Sequence, residues 1–105
     1  MTKKAIYNSI KSTVHSFLPD ARVLLFGSRA RGKYNRDSDY DLLVVTAKSY
    51  LPKDKINWES KINKALVYSL DAPFDIIMQS KKEVASNKGL RGHIVYYAIR
   101  EAIEL

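Results

Sequence analysis

At 105 residues the chain has room for one domain with one hydrophobic core, taken as 1–105, and none for a second recognition domain of ordinary size, so any partner must dock on the outside. Cysteine is absent, which excludes disulfides and thiolate metal sites, and no stretch approaches the roughly 20 apolar residues of a membrane span. The net charge of +7 favours acidic or polyanionic partners, and Met1–Lys4 leads into an amphipathic pattern rather than a signal-peptide core, so a cytoplasmic protein is expected.

Taken in order, Ile6, Ile10, Val14 and Phe17 recur at helical spacing from Lys4 to Leu18, and Pro19 ends that helix. His15 beside the stripe has no second histidine at ligand spacing and is read as a packed or surface residue. Arg22 to Phe26 is short, branched and stopped by glycine, as a buried strand is. Ser28 to about Lys33 suits a short helix, with Ser28 as its N-cap and Gly32 as its stop. A polar loop, Tyr34 to Ser38, leads to a second strand over Tyr40–Thr46, with Asp39 at its edge and Asp41 just inside.

Beyond a turn around Pro52, Trp58, Ile62, Leu66 and Leu70 define an amphipathic helix from about Lys55, with Trp58 read as core. Phe74 to Met78 is a third strand carrying Asp75. Ser80 and Glu83 fit a capping box for a short helix ending near Asn87–Gly89. A closing helix is expected to place Leu90, Ile94, Tyr97, Ala98, Ala102 and Leu105 on its buried face. Tyr96 and Tyr97 are also compatible with an interface, including one between copies of the chain, although core packing is the preferred account.

The chemistry concentrates in Gly27-Ser28-Arg29-Ala30-Arg31-Gly32 and in Asp39-Tyr40-Asp41. Carboxylates at i and i+2 of a strand share a face, where their repulsion is unfavourable unless a cation offsets it. A Gly-Ser turn offers backbone N–H groups and a hydroxyl to an anion. If the turn and the aspartates share one site, the first and second strands are antiparallel. Asp75 joins them only if the third strand runs parallel to the second through a helical crossover. The expected fold is therefore α/β, a small mixed sheet of about three strands flanked by helices, with three carboxylates at one end.

Three clustered carboxylates suit Mg²⁺ or Mn²⁺, hard ions that complete their shells with water and substrate phosphate. Nucleotidyl transfer requires such a constellation. Asp39 and Asp41 are assigned as metal ligands. Asp75 is assigned to the metal near the acceptor hydroxyl or to that hydroxyl's proton. Gly27 and Ser28 are assigned to the triphosphate of a nucleoside triphosphate, and Arg29, Arg31 and Lys33 to the departing pyrophosphate or the acceptor.

Gly27-Ser28, ten residues, then Asp39-x-Asp41, with Ala30, Gly32, Ser38 and Leu42 around them, resembles the signature of the DNA polymerase beta-like nucleotidyltransferase superfamily. The short chain and the Asp75 strand look like its minimal nucleotidyltransferase, or MNT, branch. That resemblance implies a mixed-sheet palm, catalysis with two metal ions, and transfer of a nucleoside monophosphate, AMP from ATP, to a hydroxyl. It also implies an antitoxin paired with an all-helical HEPN toxin, silenced by adenylylation of a tyrosine.

A competing expectation is a binding module that neutralises its partner by complex formation alone. Direct nucleic-acid binding ranks below both, because the basic residues are dispersed without aromatic interleaving.

Overall fold

The computed structural model describes residues 1–105, and its elements follow from local chemistry. The first helix, α1 (Lys3–Phe17), is capped by Thr2, whose hydroxyl accepts from the Ala5 N–H at 3.0 Å, and it buries Ile10 and Val14. His15 is a satisfied structural residue, its Nε2 2.8 Å from the Ala21 carbonyl. The chain continues through β1 (Arg22–Phe26), the single-turn α2 (Gly27–Arg31), β2 (Tyr40–Thr46), α3 (Pro52–Leu70), β3 (Phe74–Ser80), α4 (Lys81–Asn87), α5 (Ile94–Glu101) and β4 (Ile103–Glu104).

The sheet has the order β3-β2-β1-β4. Strands β1 and β2 are antiparallel, with Phe26 opposite Asp41, and β2 and β3 are parallel, with Asp41 opposite Asp75. These are the two strand relations that a shared site requires. One face, built from Val23, Leu25, Leu42, Val44, Ile76 and Met78, packs on α1 and α3; Trp58 joins this core, edge-on to Phe17. The opposite face, Leu24, Phe26, Leu43 and Val45, packs on Ala98 of α5 and Val84 of α4. A fully buried Leu or Ile contributes roughly 1.5–3 kcal/mol, so the central strands anchor everything placed at their ends.

The sheet has one strand more than expected. Residues 103–104 pair antiparallel with β1, Leu24 opposite Glu104 and Leu25 opposite Ile103. Two residues carry no readable alternation, and the helical pattern expected to continue to Leu105 hides them. The closing helix is correspondingly shorter. Gly92, with φ +90°, breaks the chain before it, and the His93 ring accepts from the Val95 N–H at 3.1 Å as the cap.

Its buried face differs in part from expectation: Ala98 is buried as expected, but its buried companion is Val95, whereas Leu90, Ile94 and Tyr97 are 54%, 45% and 53% exposed. Both sides of Ile94-Val95-Tyr96-Tyr97-Ala98-Ile99 are apolar, so periodicity does not select one. Helix α3 starts at Pro52, earlier than expected, because proline is well suited to the first helical position. The capping box at Ser80 and Glu83 is formed in both directions.

Candidate active site

The site is built at the end of the sheet where β1 finishes and β2 and β3 begin. Asp41 and Asp75 are each the second residue of their strand and lie directly opposite one another in register. Parallel neighbours lie about 4.8 Å apart, and residues in register point to the same face, so the two carboxylates rise together. That face is the one covered by α5, because Asp41 shares the parity of Leu43 and Val45. Asp39, two residues earlier, has the same parity at the strand's edge. Beneath them, on the opposite face, the Tyr40 and Phe74 rings stack 5.0 Å apart, and the Tyr40 N–H donates to the Pro73 carbonyl at 3.0 Å. These contacts fix the relative height of the two strand starts.

Gly27 closes the site from the side of β1. Its φ of +73° turns the chain from strand into helix within one residue, a conformation in which a side chain is strained. A Cβ there would meet Asp41 Oδ2 at 2.2 Å, so the carboxylate occupies the space that the glycine leaves. Helix α2 therefore begins at Gly27, with Phe26 in the cap position and no side-chain cap. This corrects the expectation that Ser28 is the N-cap: Ser28 is already inside the first turn. Gly32, at φ +75°, ends the helix as expected.

The expected basic residues divide by what they touch. The Arg29 guanidinium is stacked between Tyr34 and Tyr40, at 4.5 and 4.2 Å from their centroids. It donates to the Ser38 carbonyl at 3.0 and 3.2 Å and to the Arg36 carbonyl at 3.2 Å, which ties the loop before Asp39 to α2. Arg31 Nη1 is paired with Glu101 Oε2 at 2.8 Å. Lys33 is exposed at the end of α2.

Glu101 is the residue that sequence reasoning missed. Its Oε1 accepts from the Gly27 N–H at 2.8 Å while Oε2 holds Arg31. It comes from the last residue of α5, far along the chain, and the only available signal was an acidic residue closing an apolar helix. Burial pushes its carboxyl pKa up, but the hydrogen bonds from Arg31 and Gly27 and the Arg31 charge outweigh burial and hold it below the usual value.

Asp41 shows the opposite balance. Burial first, then the charges of Asp75, Asp39 and Glu101, push its carboxyl up against the smaller opposing effect of Arg31. Beside the carboxylates, a groove of about 340 Å³ between α3 and β3 runs past Asp75, Asn63, Ser60 and Lys64.

A family model described as a nucleotidyltransferase domain matches residues 8–100. The chain belongs to that nucleotidyltransferase family. A relative from Methanocaldococcus jannaschii, named "Putative protein adenylyltransferase", is 36% identical over 75 residues, which cover 70% of this chain and 71% of the relative. Two solved toxin–antitoxin structures share the fold. One, determined with AMP-PNP, superposes with a TM-score of 0.68 at 19% identity, over 93% of this chain and 70% of the matched chain. The other, the tri-AMPylated Shewanella oneidensis HEPN toxin in complex with MNT antitoxin, gives 0.64 at 16% identity, over 98% and 71%.

The nucleotidyltransferase fold implies a divalent cation, and the donor set can be tested against it. No three or more His, Cys, Asp or Glu side chains come together as a group that could hold a metal ion, so Asp39, exposed at the strand's edge, does not join Asp41 and Asp75 in the three-carboxylate cluster that was expected. Mg²⁺ does not require one: it takes one or two carboxylates and fills the remainder of its octahedron with water and substrate phosphate. The Asp41 and Asp75 pair, all oxygen and mutually repelling, fits that demand in this nucleotidyltransferase domain. Burial first, and then the neighbouring negative charges, push the Asp41 carboxyl up, so a cation there would relieve both costs.

Proposed function

We propose that this nucleotidyltransferase domain transfers a nucleoside monophosphate, AMP from ATP, to a hydroxyl of a partner protein, and that it acts as an MNT-type antitoxin on a tyrosine of a HEPN toxin. The single observation that carries the reading is Asp41 facing Asp75 in register, with the Asp41 carboxylate occupying the space that Gly27 leaves by having no Cβ. The AMP-PNP in one structural neighbour and the AMPylated HEPN toxin in another support the nucleotide and the acceptor class. The relative named for protein adenylyltransfer supports a protein acceptor.

In this reading Asp39, Asp41 and Asp75 would hold one or two Mg²⁺ or Mn²⁺ ions. Bound there, such ions supply neutralisation of the triphosphate and orientation of in-line displacement at the α-phosphorus. Ser28, through its N–H and hydroxyl, binds the triphosphate, and Arg31 and Lys33 lie on the side of the leaving pyrophosphate. The acceptor oxygen bonds to the α-phosphorus, the bond to pyrophosphate breaks, and Asp75 takes the hydroxyl proton.

The test incubates the protein with α-labelled ATP, Mg²⁺ and the product of the neighbouring gene. Label should pass to the partner, and the double variant Asp39→Asn, Asp41→Asn should abolish it. Labelling that survives the double substitution removes the site assignment. Full neutralisation of the partner by the double variant instead favours the binding-module alternative, for which the exposed Ile94 and Tyr97 on α5 offer a surface.

A further inference from the structure

Two donors expected to serve the reaction, the Gly27 N–H for the triphosphate and Arg31 for the departing pyrophosphate or the acceptor, are both engaged by one carboxylate, Glu101, at 2.8 Å each. A surface carboxylate would exchange such partners freely, but Glu101 is held on both sides. Before it, α5 is anchored by Val95 and Ala98, which are 0% and 1% exposed. After it, Ile103 and Glu104 pair with Leu25 and Leu24 of β1, and the Leu105 N–H donates to the Val23 carbonyl at 2.9 Å. Glu104 is further paired with Arg22, the first residue of β1, at 2.6 Å. The strand that ends in the Gly27 turn is therefore the strand to which the chain after Glu101 is sewn. Turn, carboxylate and strand form one closed circuit.

We infer that Glu101 is a positioning residue of the nucleotide site: it fixes the orientation of the Gly27 peptide and the reach of Arg31. The inference rests on the nucleotidyltransferase reading above and sharpens it in two ways. First, Gly27 serves the site through the space it leaves for Asp41, not through its N–H, which is already committed. The N–H and hydroxyl of Ser28 are then the turn's donors to the triphosphate. Second, Arg31 offers substrate only the donors that Glu101 leaves free; a guanidinium has five, and Glu101 takes one of them. The carboxylate removes the rotamer freedom that Arg31 would otherwise lose on binding nucleotide.

The test compares the full-length wild type with Glu101→Gln and Glu101→Ala. Glutamine keeps an acceptor for the Gly27 N–H and loses the charge that holds Arg31; alanine loses both. Three readouts are taken: the Kd of AMP-PNP with Mg²⁺ by calorimetry, KM and kcat for labelled transfer, and the Gly27 amide resonance by NMR. Glu101→Ala should weaken AMP-PNP about tenfold or more, as loss of a charge-assisted hydrogen bond does. Glu101→Gln should weaken it by about threefold, and KM should rise more than kcat falls. The Gly27 amide should keep its position in the glutamine variant and move in the alanine variant.

Unchanged or tighter binding in folded variants overturns the inference, because Glu101 would then be competing with phosphate for the same donors. If Glu101→Ala does not fold, the isosteric glutamine variant decides by the same affinity criterion. A wild type that binds no nucleotide overturns the transferase reading itself and this inference with it. Wild-type binding with undiminished variants overturns only the role of Glu101.

Discussion

Asp41 Oδ2 lies 2.2 Å from the point where a Cβ on Gly27 would stand, and its Cγ lies 3.1 Å away, so glycine and carboxylate are two halves of one fit. An alanine at position 27 meets the whole end of the aspartate, in a backbone conformation at φ +73° that disfavours any side chain. The backbone alone costs about 1–2 kcal/mol, or roughly 5 °C or more of melting temperature in a domain of this size. Displacement of Asp41 should lower transfer about a hundredfold, since misplacing a reacting group by about 1 Å costs that much. Calorimetry with Gly27→Ala in wild-type and Asp41→Ala backgrounds separates the two causes. The substitution should cost less stability once the aspartate has been shortened.

The charge state of Asp41 leads to a second expectation, about stability. Burial and then the neighbouring carboxylates raise its pKa in the folded protein. A folded-state pKa above the unfolded one means that the folded protein binds the proton more tightly. The ionised carboxylate therefore weakens the fold at pH above its folded pKa, and that cost disappears below the ordinary value near 4. Asp41→Asn should accordingly melt higher than the wild type near neutral pH without divalent cations, and the gap should close as the pH falls through the carboxylate range. Adding Mg²⁺ should raise the wild-type melting temperature more than the variant's. Differential scanning calorimetry across pH, with and without Mg²⁺, checks both signs.

These relations were not equally legible in the amino-acid order. The parity of Asp39 and Asp41 and the position of Asp75 near a strand start are local facts, and the requirement that they meet was enough to orient three strands. Glu101 was out of reach because its partners, Gly27 and Arg31, are 74 and 70 residues away, and no local pattern marks a carboxylate that caps a turn from across the fold. The fourth strand was out of reach for a related reason: two residues owe their extended state to pairing with β1 rather than to their own propensity. Residue type alone makes Ser28 a cap, whereas the geometry of Gly27 moves the helix start ahead of it. Because α5 is apolar on both sides, the face expected from spacing holds for Ala98 but not for Ile94 or Tyr97, and the sheet below selects Val95 in their place.

Arg29 gives the last expectation, and it separates two uses of one positive charge. If the guanidinium served pyrophosphate through charge alone, lysine would retain much of its effect. The observed arrangement depends instead on shape: the plane stacks between Tyr34 and Tyr40 while its fork spans the carbonyls of Ser38 and Arg36. An ammonium has neither the plane nor the fork, so Arg29→Lys should behave almost as badly as Arg29→Ala. Either change should cost about 1–2 kcal/mol, the scale of a lost cation–π contact together with part-buried hydrogen bonds. Hydrogen exchange should accelerate over residues 35–39, because Ser38 immediately precedes Asp39 and its carbonyl is the anchor. The apparent affinity for Mg²⁺ in the presence of AMP-PNP should fall about tenfold as Asp39 loses its fixed place. Rescue of both exchange and affinity by lysine would instead assign Arg29 to the phosphates, and exchange measured beside calorimetry on the same two variants distinguishes these outcomes.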